Sequence, residues 1–300
     1  MLNEKSIPSI DVSDFPGESE TLRKAGEEWG CFRILNHNIP SSLLLEMKDV
    51  VRSLLDLPME VKARNTAVIA GSGYERPQQI KPIYEALGIY DFTSSEAVDT
   101  FCSQLDASTH QRKVISEYAK VIYELSLDLA GKIGGSMGVV RNDLFEGWGS
   151  QFRFNKYNFS SETVGCCGIQ MHTDSAFLTI LQIDENVSGL EVMDKSGAFI
   201  PVDHQPGTLL VNLGDVATAW SNGSLWNVKH RVQCKEATVR YSIASFLLGP
   251  KYSVVETPPE LLDPQNPRLY IPFTFNDYRE LRLKTKLIAG QALELMRINS

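Results

Sequence analysis

Long apolar runs, paired cysteines and clustered positive charge are all scarce in this sequence. No apolar stretch approaches the length needed to cross a bilayer, and Met1 to Pro8 lacks the apolar core of a signal peptide. Five cysteines (Cys31, Cys102, Cys166, Cys167 and Cys234) are odd in number and scattered, which suits neither a disulfide framework nor zinc-ligand pairs. They read as buried or half-buried free thiols of a reducing compartment, so a cytoplasmic location is expected. The net charge of −8 and the lack of a basic patch argue against nucleic acid or an anionic membrane as partner. The one cation-rich stretch, Arg279 to Lys286, is interleaved with Leu281 and Leu283 and reads as a solvated helix face. Internal repeats and low-complexity tracts are also missing.

What is present suits a soluble globular chain with an ample core: 43% of residues are hydrophobic and only 22% are charged. The first half reads as mainly helical with short strands. Ile7 to Val12 and Cys31 to Leu35 alternate like strands, Glu18 to Gly30 has helical spacing, and Ser41 to Leu57 carries a stripe of Leu43, Leu44, Met47, Val50, Val51, Leu54 and Leu55. Residues 66–107 are broken by Gly71, Gly73, Pro77 and Pro82 and rich in tyrosine, as a lid, a binding loop or a packed irregular segment would be. A long helix follows from about Ser108 to Met137. After Gly149 short strand-like runs alternate with turns at Gly197, Pro206-Gly207, Asn222-Gly223 and Gly249-Pro250, and the tail from Tyr278 to Arg297 returns to helical spacing. The expected fold is α+β: a double-stranded β-helix (jelly-roll) core with a helical N-terminal half packed on it. The expected segments are residues 1–148, 149–250 and 251–300, forming one compact unit.

The candidate chemistry centres on Gln170-Met171-His172-Thr173-Asp174. On a strand, residues i and i+2 leave the same face, so His172 and Asp174 would share one space. His230, in Val228-Lys229-His230-Arg231-Val232, would supply a second imidazole. Two histidines and a carboxylate on one side of a metal form the facial triad of non-haem Fe(II) oxygenases. On spacing alone, a polar strand end accounts for His-x-Asp equally well. The same alternation puts Arg240, Ser242 and Phe246 on one face, and Arg153, Asn155 and Tyr157 on another, while Lys229 and Arg231 should point away. A guanidinium fork and a hydroxyl suit a carboxylate in a water-poor cavity. Arg153 has two readings, a holder of a substrate carboxylate or one half of a salt bridge at the barrel rim. His37, His110 and His204 are not needed by this site.

Taken in order, several segments resemble the plant branch of the 2-oxoglutarate- and Fe(II)-dependent dioxygenases. They are Ile7-Pro8-Ser9-Ile10-Asp11, Glu28 to Phe32 with Asn36-His37, Leu57-Pro58-Met59-Glu60-Val61-Lys62, Gly214-Asp215, Ser221-Asn222-Gly223 with His230-Arg231-Val232, and Arg240-Tyr241-Ser242. The resemblance implies Fe(II) on His172, Asp174 and His230, with O₂ and 2-oxoglutarate as cosubstrates and ascorbate in a supporting role. It assigns Arg240 and Ser242 to the distal carboxylate of 2-oxoglutarate and turns Asn155 and Tyr157 onto that molecule. Arg153, Phe246, Tyr74 and Tyr84 become candidates for the substrate pocket, with Tyr90 a weaker one.

Within the branch, Tyr84-Glu85-Ala86-Leu87-Gly88 and the short chain are most similar to the auxin-oxidising members. That similarity implies indole-3-acetate as substrate and 2-oxindole-3-acetate as product. The implied protein is a monomer or weak homo-oligomer acting on a small carboxylate. Hydroxylation or demethylation of a gibberellin, flavonoid or alkaloid is the alternative from the same family. A non-catalytic jelly-roll binding protein and a zinc hydrolase are alternatives from other classes.

Overall fold

The computed structural model describes residues 6–69, 71–78 and 83–298. Residues 1–5, part of the leader reading, and Pro82, read as a breaker, lie outside the described residues. The first half runs β1 (Ser9–Asp11), α1 (Ser19–Glu28), β2 (Cys31–Leu35), α2 (Ser41–Leu55), α3 (Met59–Lys62), β3 (Tyr84–Tyr90), α4 (Ser95–Gln104) and α5 (Thr109–Ser136). The second half runs β4 (Trp148–Tyr157), β5 (Cys167–His172), β6 (Leu178–Gln182), β7 (Leu190–Met193), β8 (Phe199–Pro201), β9 (Leu209–Leu213), α6 (Asp215–Trp220), β10 (His230–Gln233), β11 (Arg240–Pro250), α7 (Phe275–Thr285) and α8 (Gln291–Glu294). No helix of the described residues is long and apolar enough to cross a membrane.

Two sheets form the core. The larger has the order β1-β2-β9-β6-β11-β4-β3 and the smaller β5-β10-β7-β8. The jelly roll is therefore extended by three strands from the N-terminal half, β1 and β2 at one edge and β3 at the other. Each strand of the large sheet divides its side chains between two layers. Phe152, Phe154, Ile180, Val211 and Ile243 pack with the helices, while Tyr157, Leu181, Leu210 and Ala244 join a second apolar cluster between the sheets. On the helix side Phe92 stacks on Phe152 with ring centroids 3.7 Å apart, and Phe101 meets Phe154 edge-on.

The long helix α5 starts where its capping box requires. The Ser108 hydroxyl accepts from the Gln111 amide, and the Gln111 side chain accepts from the Ser108 amide at 2.7 Å. Its buried stripe of Val114, Tyr118, Ile122, Leu125, Leu129 and Ile133 follows the helical period of the sequence.

Three expectations need correction. Residues 66–107 are not irregular throughout, since they contain β3 and α4. β3 is covered on both faces, which removes the polar alternation that marks a half-exposed strand. Gly88 sits within it because the carbonyl of Ser72 comes so close that a Cβ would lie 2.2 Å from it. The helical tail is split as well, because Lys286 (φ 58°) and Gly290 (φ 88°) take left-handed conformations between α7 and α8. The cysteines are all free, but Cys166 and Cys167 are exposed rather than buried.

The Leu57-Pro58-Met59-Glu60-Val61-Lys62 segment ends in a buried ion pair that ties α3 to β3. Lys62 Nζ lies 2.5 Å from Glu85 Oε2 and donates to the Leu55 carbonyl, and the Tyr74 hydroxyl donates to the same Glu85 oxygen. Burial pushes the Glu85 carboxyl up, but hydrogen bonds from Lys62 and Tyr74 outweigh it and hold the group below the usual range. A depressed carboxylate stabilises above its unfolded pKa, and that contribution disappears as pH falls through the folded value. Lys62→Met leaves a buried carboxylate without its main partner and should cost about 3 kcal/mol in urea unfolding at pH 7. The difference from wild type should shrink at acid pH; a change below about 0.5 kcal/mol at pH 7 would show the pair to be dispensable.

Candidate active site

β5 ends at His172 and β10 begins at His230, and these two residues are direct cross-strand partners. Opposed residues of an antiparallel pair send their side chains to the same face. The two imidazoles accordingly meet with ring centroids 4.2 Å apart. Asp174, just beyond β5, brings its Oδ1 to 3.8 Å from Nε2 of each histidine. The three ligand atoms lie within 4.8 Å of one another, the one such cluster among the described residues.

Neighbouring groups orient each ligand. His172 Nδ1 lies 2.8 Å from the Gln170 carbonyl and His230 Nδ1 lies 3.3 Å from the Val228 carbonyl. A carbonyl only accepts, so each Nδ1 carries the proton and each Nε2 keeps its lone pair. The Thr179 hydroxyl donates to Asp174 Oδ2 at 2.6 Å, leaving Oδ1 turned towards the histidines. Burial, and then the adjacent His230, push the His172 imidazole well below its ordinary pKa. It is thus neutral at physiological pH, the form that ligates metal. This donor set, on one side of an open space, fits Fe(II).

The triad opens on a cavity of about 160 Å³ between the sheets. The pairing of β11 with β4 places Arg240 opposite Tyr157, Ser242 opposite Asn155, Ala244 opposite Arg153 and Phe246 opposite Gln151. Arg240, Ser242, Asn155, Tyr157, Tyr84, Arg153 and Phe246 all line this space. Asn155 donates to the Ser242 hydroxyl at 3.2 Å and accepts from the Tyr84 hydroxyl at 2.9 Å. Arg240 is 2% exposed, yet its Nε and Nη1 have no hydrogen-bond partner among the described residues. A buried guanidinium with open N–H groups is costly until an anion completes it, and its fork matches a carboxylate. The residues therefore fit 2-oxoglutarate.

Not every candidate faces the cavity. Tyr74 is turned to Glu85 and Lys62 instead. Arg153 lines the cavity, but its Nη2 lies 2.5 Å from Glu75 Oε2 and its Nη1 donates to the Gly73 carbonyl. Arg231 turns outward onto Glu191 and the Phe199 ring, as alternation predicts.

The sequence reading missed Thr179 and Asn212. Both sit at inward positions of their strands, and the period that located Asn155 would have located them.

It also misplaced Arg279 and Arg282, which are not on a solvated face. They line a second cavity of about 270 Å³ that shares His172, Asp174 and Phe246 with the first. Arg282 forms a buried pair with Asp215 and donates to the carbonyls of Thr173 and Ile288. Phe275, Tyr278 and Arg282 share one helical stripe, and Arg279 lies beside it, a signal that the charges obscured.

Thr179→Val keeps the shape of the side chain but removes the donor to Asp174. It should weaken Co(II) binding, measured by titration without cosubstrate, about 10-fold to 100-fold while leaving the melting temperature near wild type. Unchanged affinity would show that Thr179 does not orient the ligand.

Comparison with known proteins agrees with this geometry. Residues 148–249 match the 2OG-Fe(II) oxygenase superfamily, and residues 7–109 match the N-terminal region described as non-haem dioxygenase in morphine synthesis. The 2-oxoglutarate-dependent dioxygenase DAO of Oryza sativa, in both the indica and japonica subspecies, is 49% identical over 96% of this chain and 97% of its own length. The crystal structure of dioxygenase for auxin oxidation from rice superposes with a TM-score of 0.90 at 47% identity, covering 98% of this chain and all of that one (100%). The 2-oxoglutarate complex of dioxygenase for auxin oxidation 1 from Arabidopsis thaliana gives a TM-score of 0.85 at 57% identity, over 88% of this chain and 100% of the other. The chain belongs to the 2-oxoglutarate- and Fe(II)-dependent oxygenase superfamily and is a dioxygenase of that family.

Proposed function

We propose that this dioxygenase oxidises indole-3-acetate to 2-oxindole-3-acetate, a step that inactivates auxin. The observation that carries the reading is its near full-length similarity to relatives named for auxin oxidation. The cavities are consistent with it. One carries Arg240, Ser242 and Asn155 on its wall; the other combines apolar walls with guanidinium groups beside the same triad.

In this reading His172, Asp174 and His230 hold the iron, and Arg240 with Ser242 takes the distal carboxylate of 2-oxoglutarate. Bound Fe(II) and O₂ supply the oxidising chemistry, with 2-oxoglutarate converted to succinate and CO₂. Asn155, held between Ser242 and the Tyr84 hydroxyl, keeps the cosubstrate wall rigid. Tyr157 lies against the Arg240 guanidinium, whose carbon is 5.2 Å from the ring centroid. The chain thus fixes both reactants and excludes water; the protein supplies position and electrostatics. Five unpaired cysteines accord with a cytoplasmic enzyme, and we assign it as a monomer or weak homo-oligomer.

Succinate release in the presence of Fe(II) and 2-oxoglutarate should rise at least about tenfold when indole-3-acetate is added, because binding of the true substrate couples the two oxidations. Succinate that does not respond to the indole acid would discard auxin as substrate and leave the dioxygenase assignment in place. Arg240→Met should raise the KM for 2-oxoglutarate on the order of 100-fold, the effect of removing one partner of a buried charged pair. An unchanged KM would remove Arg240 from the cosubstrate site.

A further inference from the structure

We propose that Asn212, on β9, holds the ketoacid end of 2-oxoglutarate through a hydrogen bond donated by its side-chain amide. The inference concerns the cosubstrate, so it stands whichever small molecule the enzyme oxidises.

Register places Asn212 at the metal end of the first cavity. Phe246 on β11 stands opposite Thr179 on β6, and Thr179 stands opposite Asn212 on β9. Cross-strand partners share a face, so the three side chains form one rung on the inner surface of the large sheet. All three line the cavity together with His172, Asp174 and His230. Thr179 fixes the level of this rung, because its hydroxyl bonds Asp174 Oδ2. Arg240 lies six residues before Phe246 on β11, towards the opposite end. A diacid with its distal carboxylate on Arg240 therefore runs along the sheet and brings its other end to the Asn212 rung.

The carboxamide of Asn212 also has an unmet requirement. The residue is 1% exposed, and its Oδ1 has no hydrogen-bond partner among the described residues. Its two cross-strand neighbours do not satisfy it. The single proton of Thr179 Oγ1 goes to Asp174. Cys31 on β2 is a weak donor, fully buried, with its thiol pushed up to about 12 by burial. An apolar side chain would suit a purely structural position here, as Leu210 does two residues earlier on the same face. A polar group kept at this place points to a polar ligand.

The chemistry of the cosubstrate supplies that ligand. The ketoacid end of 2-oxoglutarate has only acceptor oxygens to offer, so the protein must provide donors. At the triad end of the cavity the neighbouring donors are engaged. His172 and His230 each turn Nδ1 to a backbone carbonyl, and Thr179 gives its proton to Asp174. The terminal torsion of asparagine is broad and roughly two-fold, so a turn of the amide presents its NH₂ group to the incoming oxygens. A neutral donor suits the charge balance, because Fe(II) and Arg240 already offset Asp174 and the two carboxylates of 2-oxoglutarate.

The test combines equilibrium binding with absorption spectroscopy on the full-length protein in the absence of O₂. Asn212→Leu removes the amide at similar size. With Fe(II) bound, it should weaken 2-oxoglutarate binding about 10-fold to 100-fold, the range for a hydrogen bond to a charged group. It should also shift the visible charge-transfer band of the Fe(II)–2-oxoglutarate chelate, which responds to hydrogen bonding at the ketoacid oxygens. Arg240→Met acts at the distal carboxylate and should lower affinity while leaving the band in place at saturation. Asn212→Asp keeps the shape but turns the donor into a like charge, and should bind 2-oxoglutarate more weakly than Asn212→Leu. Co(II) affinity without cosubstrate and the melting temperature of Asn212→Leu should stay close to wild type.

Wild-type affinity and an unshifted band in Asn212→Leu would overturn the proposal. Binding of 2-oxoglutarate by Asn212→Asp as tight as wild type would also overturn it, because the residue would then accept rather than donate. Equal losses of Co(II) and 2-oxoglutarate affinity, with a lower melting temperature, would assign Asn212 a structural role instead. If Asn212→Leu does not fold, Asn212→Ser takes its place: reduced affinity with a shifted band supports the proposal, and no change in either overturns it.

Discussion

The antiparallel register between β4 and β11 is the constraint on which this site depends. Three residue pairs, Arg240 with Tyr157, Ser242 with Asn155 and Ala244 with Arg153, face one cavity because strand side chains alternate with a period of two. A slip of one residue would turn Arg240 and Ser242 to the helices and bring Tyr241 and Ile243 inward. The outer face resists that slip. Phe152 and Phe154 are packed into the helical layer, and exchanging them with Arg153 and Asn155 would bury a charge in an apolar core. The helical layer therefore does more than cover the sheet. It holds the polar face in register.

A second constraint holds the triad itself. Asp215 is fully buried and accepts from Asn227 at 2.7 Å and from Tyr278 at 2.6 Å, and it pairs with Arg282. Its own amide donates to the Asp174 carbonyl, and Arg282 reaches the carbonyl of Thr173. The loop carrying Asp174 is thus fastened to α6 on one side and α7 on the other. Gly214 permits this approach, since a Cβ there would lie 2.6 Å from the Asp174 carbonyl oxygen and 2.3 Å from that of Ala176. The Gly214-Asp215 pair contributes no ligand, yet it positions one. Metal sites are commonly tuned in this way, through the groups behind the ligands.

The alternation of the strands makes the shared faces of Arg153, Asn155 and Tyr157, and of Arg240, Ser242 and Phe246, legible in the sequence. The helical stripe of α5 was legible for the same reason: its amphipathic contrast survives because one face meets solvent. β3 was not legible, because both of its faces are covered and its pattern carries no contrast. Arg279 and Arg282 were misread for a related reason. Charge on a helix normally marks solvent, whereas here Arg282 meets Asp215 and Arg279 meets Gln151 on the inner side of the helix.

The sequence by itself determined which residues could ligate a metal, which side chains share a strand face, and a jelly-roll architecture, because those follow from local chemistry and periodicity. Tertiary structure alone decided that His172 and His230 stand directly opposite each other, that Tyr74 leaves the cavity for a buried ion pair, and that Arg153 is taken by Glu75 while Arg279 faces the triad's second cavity. Such outcomes depend on which distant groups meet in space, and neither composition nor period encodes the partner that a buried charge will find.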